Sequence, residues 1–306
     1  MSVPAKVLSF YIIVPLTLGR DARDVNKPTD SAVLVLGATG KTGSRVARIL
    51  SERGVAVRAA RRDPAVPFDW NNRSTWAPAL KGATGVYLVS PVLRVDFAAD
   101  VAAFLDDAGR AGVGHVTYLS GYGVQYAPAE VALRAVELDL GSRDSFSHSI
   151  IRPAWFMQDF SETFLRPVAD EIVVPNGTGT EAFVDAEDIA AVAAATLLDP
   201  ELHAGRAYAP TGPEALAVGQ AAAVMSAVVG RTITYRDTDR DSWVRAMIDS
   251  GIPEAYGDVL RTLTSTIAGG LGSTPNDDVL RVTGVAPATF ADFAARTAPA
   301  WREPAL

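Results

Sequence analysis

One seven-residue stretch, Gly37-Ala38-Thr39-Gly40-Lys41-Thr42-Gly43, constrains this chain's fold more than any other. It follows the apolar run Ala32-Val33-Leu34-Val35-Leu36, whose brevity and lack of alternation fit a strand buried on both faces. It precedes Val46, Ala47, Ile49 and Leu50, which recur at helical spacing. Glycine permits the tight turn and close approach of a ligand to the backbone, and a helix N-terminus offers free N–H groups with partial positive charge. In this strand–turn–helix context the spacing predicts a seat for the pyrophosphate of a dinucleotide, against the plain alternative of a structural turn. A Walker A loop is excluded, because Gly40-Lys41-Thr42 would need glycine at position 35, which is Val35.

The alternation continues downstream. Strands are predicted at 55–59, 85–89, 114–119 and 146–151, with helices at 74–80, 95–111 and 129–140 between them. Such a pattern predicts an α/β fold whose parallel strands are joined by right-handed crossovers. After Arg152-Pro153 it loosens. Short strands are expected at 171–174 and 181–184, one more at 206–209, and helices at 185–198, 215–229, 242–250, 253–268 and 287–296. The expected organisation is an extension over 1–30, a nucleotide-binding domain over 31–160, and a smaller, mostly helical substrate lobe over 161–306, partly interleaved with the first.

Composition narrows the chemistry. With 28 Lys+Arg against 35 Asp+Glu in 306 residues, the net charge of −7 speaks against binding a nucleic-acid backbone. The chain has no Cys, so thiolate chemistry and Cys-ligated metals are excluded. His115, His148 and His203 lie far apart without an HExxH pair, and no metal site is expected. The apolar segment of 7–18 is broken by Ser9, Pro15 and Thr17 and falls short of the ~20 residues of a membrane span. No small-x-small cleavage site follows it, so cytoplasmic residence is expected. A small-molecule substrate is expected, with neither nucleic acid nor membrane as partner, in a monomer or homodimer.

The second predicted strand bears on cofactor choice. It ends Ala59-Ala60-Arg61-Arg62-Asp63. A carboxylate here would suit the ribose 2′-hydroxyl of NAD, whereas two guanidiniums can fork onto a 2′-phosphate. Asp63 competes, but it falls in the Asp63-Pro64 turn past the strand, so NADP(H) is favoured over NAD(H). A solvated turn is the alternative for Arg61 and Arg62.

Several segments together resemble the atypical short-chain dehydrogenases of the NmrA-like group. They are the glycine turn, Arg62-Asp63-Pro64, Phe68-Asp69-Trp70, Val86-Tyr87-Leu88-Val89-Ser90-Pro91, residues 151–160 (IRPAWFMQDF) and residues 185–190 (DAEDIA). Trp155-Phe156-Met157 and Asn276-Asp277-Asp278-Val279, followed by Arg281-Val282-Thr283-Gly284, are most similar to the festuclavine dehydrogenase type. The resemblance covers about 31–302 and implies an α/β fold with a Rossmann-like, doubly wound parallel sheet and NADP(H) at the strand carboxyl ends. It implies that Asp69 sits by the adenine, that Ser90, Pro91 and Ser120 flank the ribose and nicotinamide, and that Pro153, Ala154 and Trp155 border nicotinamide and substrate. Trp155, Phe156 and Phe160 are pocket candidates whose plain alternative is core packing. For Asp185 and Asp188 helix capping is the favoured reading.

The chain departs from ordinary short-chain dehydrogenases in lacking Tyr-x-x-x-Lys. Tyr122 is followed four residues on by Tyr126, Tyr126 by Glu130, and no Lys occurs after Lys81. Hydride addition to a ketone leaves a basic alkoxide that needs a positioned acid. Addition to an iminium cation needs no proton in that step, and a quinone makes a milder demand. The sequence therefore leans toward reduction of a cyclic iminium or quinone-like ring, with Trp155, Tyr122, Tyr126 and Glu130 as candidates to stabilise it. Two alternatives stay open: a dinucleotide-binding redox sensor without turnover, and a ketone or enone reductase in which Tyr122 or Tyr126 donates the proton.

Overall fold

The computed structural model describes residues 32–60 and 66–302. The predicted extension over 1–30 and the Arg61-Arg62 pair lie outside the described residues.

Six parallel strands form the central sheet: β1 (Ala32–Val35), β2 (Val57–Ala59), β3 (Ala83–Val89), β4 (His115–Leu119), β5 (Ser147–Ile151) and, from further along the chain, Arg206–Tyr208 at the edge beside β5. The strands alternate their side chains between two apolar layers. Leu34 and Leu36 of the first strand and its continuation, with Val86 and Leu88 of β3, enter one core; Val33, Val35 and Tyr87 enter the other. Helices cover both faces. On the first lie α2 (Trp76–Leu80), α3 (Ala98–Arg110) and α4 (Ala132–Gly141), around Trp76, Phe104 and Tyr118. On the second lies α1 (Gly43–Glu52), buried through Val46 and Leu50 against the long helix Ala186–Leu198.

Strand order places β2 on one side of β1 and β3 on the other. The chain thus changes winding direction at β1, and in open α/β sheets the crevice outside the carboxyl ends at such a point is where ligands bind. Gly37 closes β1 at this point, and Val89 and Ser90 close β3.

After β5, α5 (Asp159–Glu162) leads into short strands β6 (Glu171–Val173) and β7 (Thr180–Glu181). The helix predicted at 185–198 is α6 (Ala186–Leu198), followed by α7 (Pro200–His203) and β8 (Arg206–Tyr208), which returns to the main sheet. Elements between 161 and 306 thus complete the first layered unit. The rest forms a second core: β9 (Leu216–Ala217) pairs antiparallel with β7, and β10 (Thr234–Arg236) pairs parallel with β6. Around them pack α8 (Val218–Val229), α9 (Arg240–Asp249), α10 (Gly257–Ala268) and α12 (Phe290–Thr297), the last following α11 (Asp278–Thr283). The predicted helix of 95–111 begins only at Ala98. Among the described residues no helix is long and apolar enough to cross a membrane.

Candidate active site

The glycine turn is packed so tightly that side chains are excluded. A Cβ on Gly43 would stand 2.2 Å from the Gly37 carbonyl oxygen and 2.6 Å from its carbon. Gly37 has φ +62°, which favours glycine, and its carbonyl accepts the Gly40 N–H at 2.8 Å. These contacts draw the start of α1 onto the end of β1. Helix α1 has no side-chain cap and no acidic residue in its first turn. The N–H groups of Lys41, Thr42 and Gly43 find no acceptor among the described residues. Gly37, Thr39 and Gly40 are exposed, whereas Thr42 is buried. Unsatisfied donors at a positive helix end, beneath an exposed backbone, fit a diphosphate. Lys41 is committed elsewhere: its Nζ donates to Asp159 Oδ1 at 2.6 Å and to Thr163 at 2.9 Å, fastening the turn to α5.

Asp69 and its aromatic neighbours form the next wall. Asp69 Oδ1 accepts the Asn71 N–H at 2.9 Å, and the Trp76 indole donates to the Asp69 carbonyl at 3.0 Å. Phe68 packs edge-on against Trp70 and Phe104, with ring centroids 5.1 and 5.6 Å away, so the Phe68-Asp69-Trp70 motif is part of a ring cluster.

The loops after β3, β4 and β5 are cross-linked. Ser90 Oγ shares a hydrogen bond of 3.0 Å with the buried Tyr118 hydroxyl, and Pro91 is buried beside it in sequence. The Ser120 N–H donates to Ile151 and the Tyr122 N–H to Pro153. Ser120 Oγ donates to Glu137 at 2.7 Å, and Arg152 forks onto the same carboxylate at 2.8 and 2.9 Å, with Arg134 at 3.0 Å. Burial alone would raise the Glu137 carboxyl; Arg152, Ser120 and Arg134 outweigh it and hold the group below its ordinary value. Arg152 thus holds a buried ion cluster, and Glu137, which sequence spacing did not flag, is its centre. The Glu137-to-Arg134 spacing of three on a helix was the available signal.

The proposed acceptor side is divided. Trp155 and Phe156 are half-buried after β5, and Tyr122 is half-buried after β4. Burial, then the nearby Glu181 and Tyr126, raise the Tyr122 hydroxyl. Tyr126 is 80% exposed, and Glu130 is exposed ahead of α4. For Phe160 the structure favours the plain alternative, core packing: α5 turns its ring into the second core, between Phe183 and Phe290 at 5.0 and 4.9 Å, where it is fully buried. Asp185 caps α6 through the Glu187 N–H and also binds Gln158 and Arg296. Asp188 instead accepts the Ala288 N–H at 2.9 Å, tying α6 to the approach of α12. A hollow of about 310 Å³ between Arg45, Gln158, Glu162, Phe293 and Arg296 contains none of the predicted site residues.

Glu181, at the end of β7, escaped the sequence reading. It is 3% exposed, one oxygen accepts the Trp155 N–H at 3.2 Å, and no Lys, Arg or His pairs with it among the described residues. Burial pushes its carboxyl up to about 7. Its isolation in a loose region of the pattern left no motif to find it by.

Comparison with known proteins agrees with this architecture. The chain is 33% identical over 280 residues to an uncharacterized oxidoreductase, YesF, of Bacillus subtilis, covering 88% of this chain and 96% of the relative. It is 31% identical to an NAD(P)H azoreductase of Xenophilus azovorans (88% and 99% covered). Identity is 28% to festuclavine dehydrogenase of Aspergillus fumigatus (88% and 98% covered). Among solved structures it shares its fold with an NADPH-dependent quinone oxidoreductase of Escherichia coli, at TM-score 0.70, 22% identity, and coverage of 87% and 98%. The fold is also that of the negative transcriptional regulator NmrA bound to NAD, at TM-score 0.69, 19% identity, and coverage of 88% and 95%. The NmrA-like family model matches residues 29–269, and the chain belongs to the NmrA-like family.

Proposed function

We propose that this chain is an NADPH-dependent reductase that acts on a small electron-poor acceptor, a cyclic iminium or a quinone-like ring. The observation that carries the reading is the glycine cradle at the switch of strand direction: three backbone N–H groups at the start of α1 that have no acceptor among the described residues, with no room for a side chain at Gly43. The residues fit a dinucleotide, which when bound supplies a hydride at its nicotinamide ring. The turn of 37–43 would hold the diphosphate, Arg61 and Arg62 the 2′-phosphate, and Asp69 the adenine side. Ser90, Pro91, Ser120 and Pro153 would border ribose and nicotinamide, and Trp155 and Phe156 would position the acceptor. The kinship with an NAD(P)H azoreductase and with festuclavine dehydrogenase supports an NAD(P)-dependent oxidoreductase.

A second reading, a dinucleotide sensor without turnover, is favoured by the lack of Tyr-x-x-x-Lys and by the fold shared with NAD-bound NmrA. Stopped-flow oxidation of NADPH with a panel of cyclic iminium ions and quinones separates the two. Turnover with either class supports the reductase. Tight nucleotide binding without oxidation of NADPH by any member supports the sensor.

A further inference from the structure

Three segments converge on Glu181. Trp155 follows β5 and gives the carboxylate its backbone N–H; Tyr122 follows β4 and is tied to the same loop through Pro153; the loop after α10 lies against Glu181 and Gly123. The closure is tight. A Cβ on Gly272 would lie 2.2 and 2.4 Å from the two Glu181 oxygens, so the carboxylate rests against a bare α-carbon. The Gly272 carbonyl accepts the Ala182 N–H at 2.8 Å, and Leu271 presses within 2.9 Å of where a Cβ on Gly123 would stand. A buried carboxyl with one donor and no cation is costly in its charged form.

We propose that Glu181 is the proton donor to the acceptor, which extends the reductase reading and rests on it. The acceptor gains hydride from the reduced nicotinamide at one atom of its C=O or C=N bond. In an imine hydride enters at carbon and the π pair moves to nitrogen; in a quinone it enters at one carbonyl oxygen and the pair moves through the ring to the other. That heteroatom forms a bond to the Glu181 proton as the carboxyl O–H bond breaks. The carboxylate then takes a proton from water, so one hydride and one solvent proton are consumed per turnover. This role favours a neutral acceptor, a quinone-type carbonyl or an uncharged imine, over a preformed iminium ion. Among the described residues the titratable group that faces Glu181 is Tyr122; loop residues 269–273, Leu216 opposite on β9, and Trp155 carry no ionisable side chain. Burial keeps the carboxyl protonated up to about pH 7.

The test compares full-length wild type with Glu181→Gln and Glu181→Asp, using 1,4-benzoquinone and an N-methyl cyclic iminium salt as acceptors. The expected result is a loss of ~100-fold or more in quinone turnover for Glu181→Gln, as for a general acid, with NADPH affinity and iminium turnover retained. The wild-type rate should fall as pH rises through neutrality, and this limb should vanish in Glu181→Gln and return in Glu181→Asp. Carbon-13 NMR of labelled glutamate should show one carboxyl titrating near neutrality in wild type and none in Glu181→Gln. An active wild type with unchanged quinone turnover and pH profile in Glu181→Gln would overturn the role of Glu181 alone. Equal losses with both acceptors would also overturn it, since a proton donor spares the iminium. A wild type that binds NADPH yet reduces neither acceptor would overturn the reductase reading, and this role with it.

Discussion

Replacing Glu181 by Gln should make the folded chain more stable at alkaline pH than wild type, by an amount the burial of the carboxyl sets. The ordinary value for this group is 4.5, and the folded protein holds it at about 7. A difference of roughly 2.5 units at ~1.36 kcal/mol each is about 3 kcal/mol. The sign follows from proton counting. Between the two values the folded state keeps the proton and the unfolded state has released it, so stability falls as pH rises through this window. Below the window no charge is buried, and above it the full penalty of a buried charge is present. Glutamine keeps an acceptor for the Trp155 N–H and never ionises. The difference in unfolding free energy, variant minus wild type, should therefore grow by about 3 kcal/mol from pH ~4.5 to pH ~7 and then level off. Asp188, raised to about 6 mainly by burial, weakens both proteins in an overlapping window; His115, lowered to about 4 mainly by burial, weakens both as pH falls. Both cancel in the difference. Urea unfolding followed by Trp fluorescence at a series of pH values supplies the measurement. A difference that stays constant across the window would refute the burial argument, and one that shrinks would reverse its sign.

Gly43→Ala should reduce NADPH affinity at least ~10-fold, since its methyl group would collide with the Gly37 carbonyl and displace the turn; calorimetric titration against a folded variant checks this. Arg61→Ala with Arg62→Ala should weaken NADPH by ~10–100-fold, as for the loss of charge-assisted bonds, and leave NADH affinity unchanged; equal losses for both would remove the 2′-phosphate assignment. Tyr126→Phe should leave turnover within about two-fold, since the ring is 80% exposed, and a large loss in steady-state rate would restore it as a proton donor.

The central sheet was legible because its signals are local. Runs such as Leu34 to Leu36 and Val86 to Leu88 alternate between two buried layers, and glycine at 37 and 43 marks the turn that joins strand to helix. The second half was less so, since its strands are two or three residues long and its pairing joins β6 to β10 across some sixty residues, visible only through register such as Glu171 with Thr234. The helical run at 215–229 hid Leu216 and Ala217, which pair with β7 before the helix begins. At the site, backbone features could be read and side-chain environments could not. Apolar Phe160 looked equally suited to pocket and core, and tertiary packing against Phe183 and Phe290 decided for the core. Glu181 and Glu137 are both buried carboxylates, and their opposite behaviour depends on whether distant arginines arrive, as Arg152 does for Glu137.

The most direct test of the account is titration of the purified chain with NADPH and NADH, followed by quenching of Trp fluorescence and by calorimetry. NADPH should bind saturably at one site per chain, tighter than NADH and at least ~10-fold more weakly when Gly43 is replaced by alanine. Absence of saturable binding by either nucleotide would contradict the account.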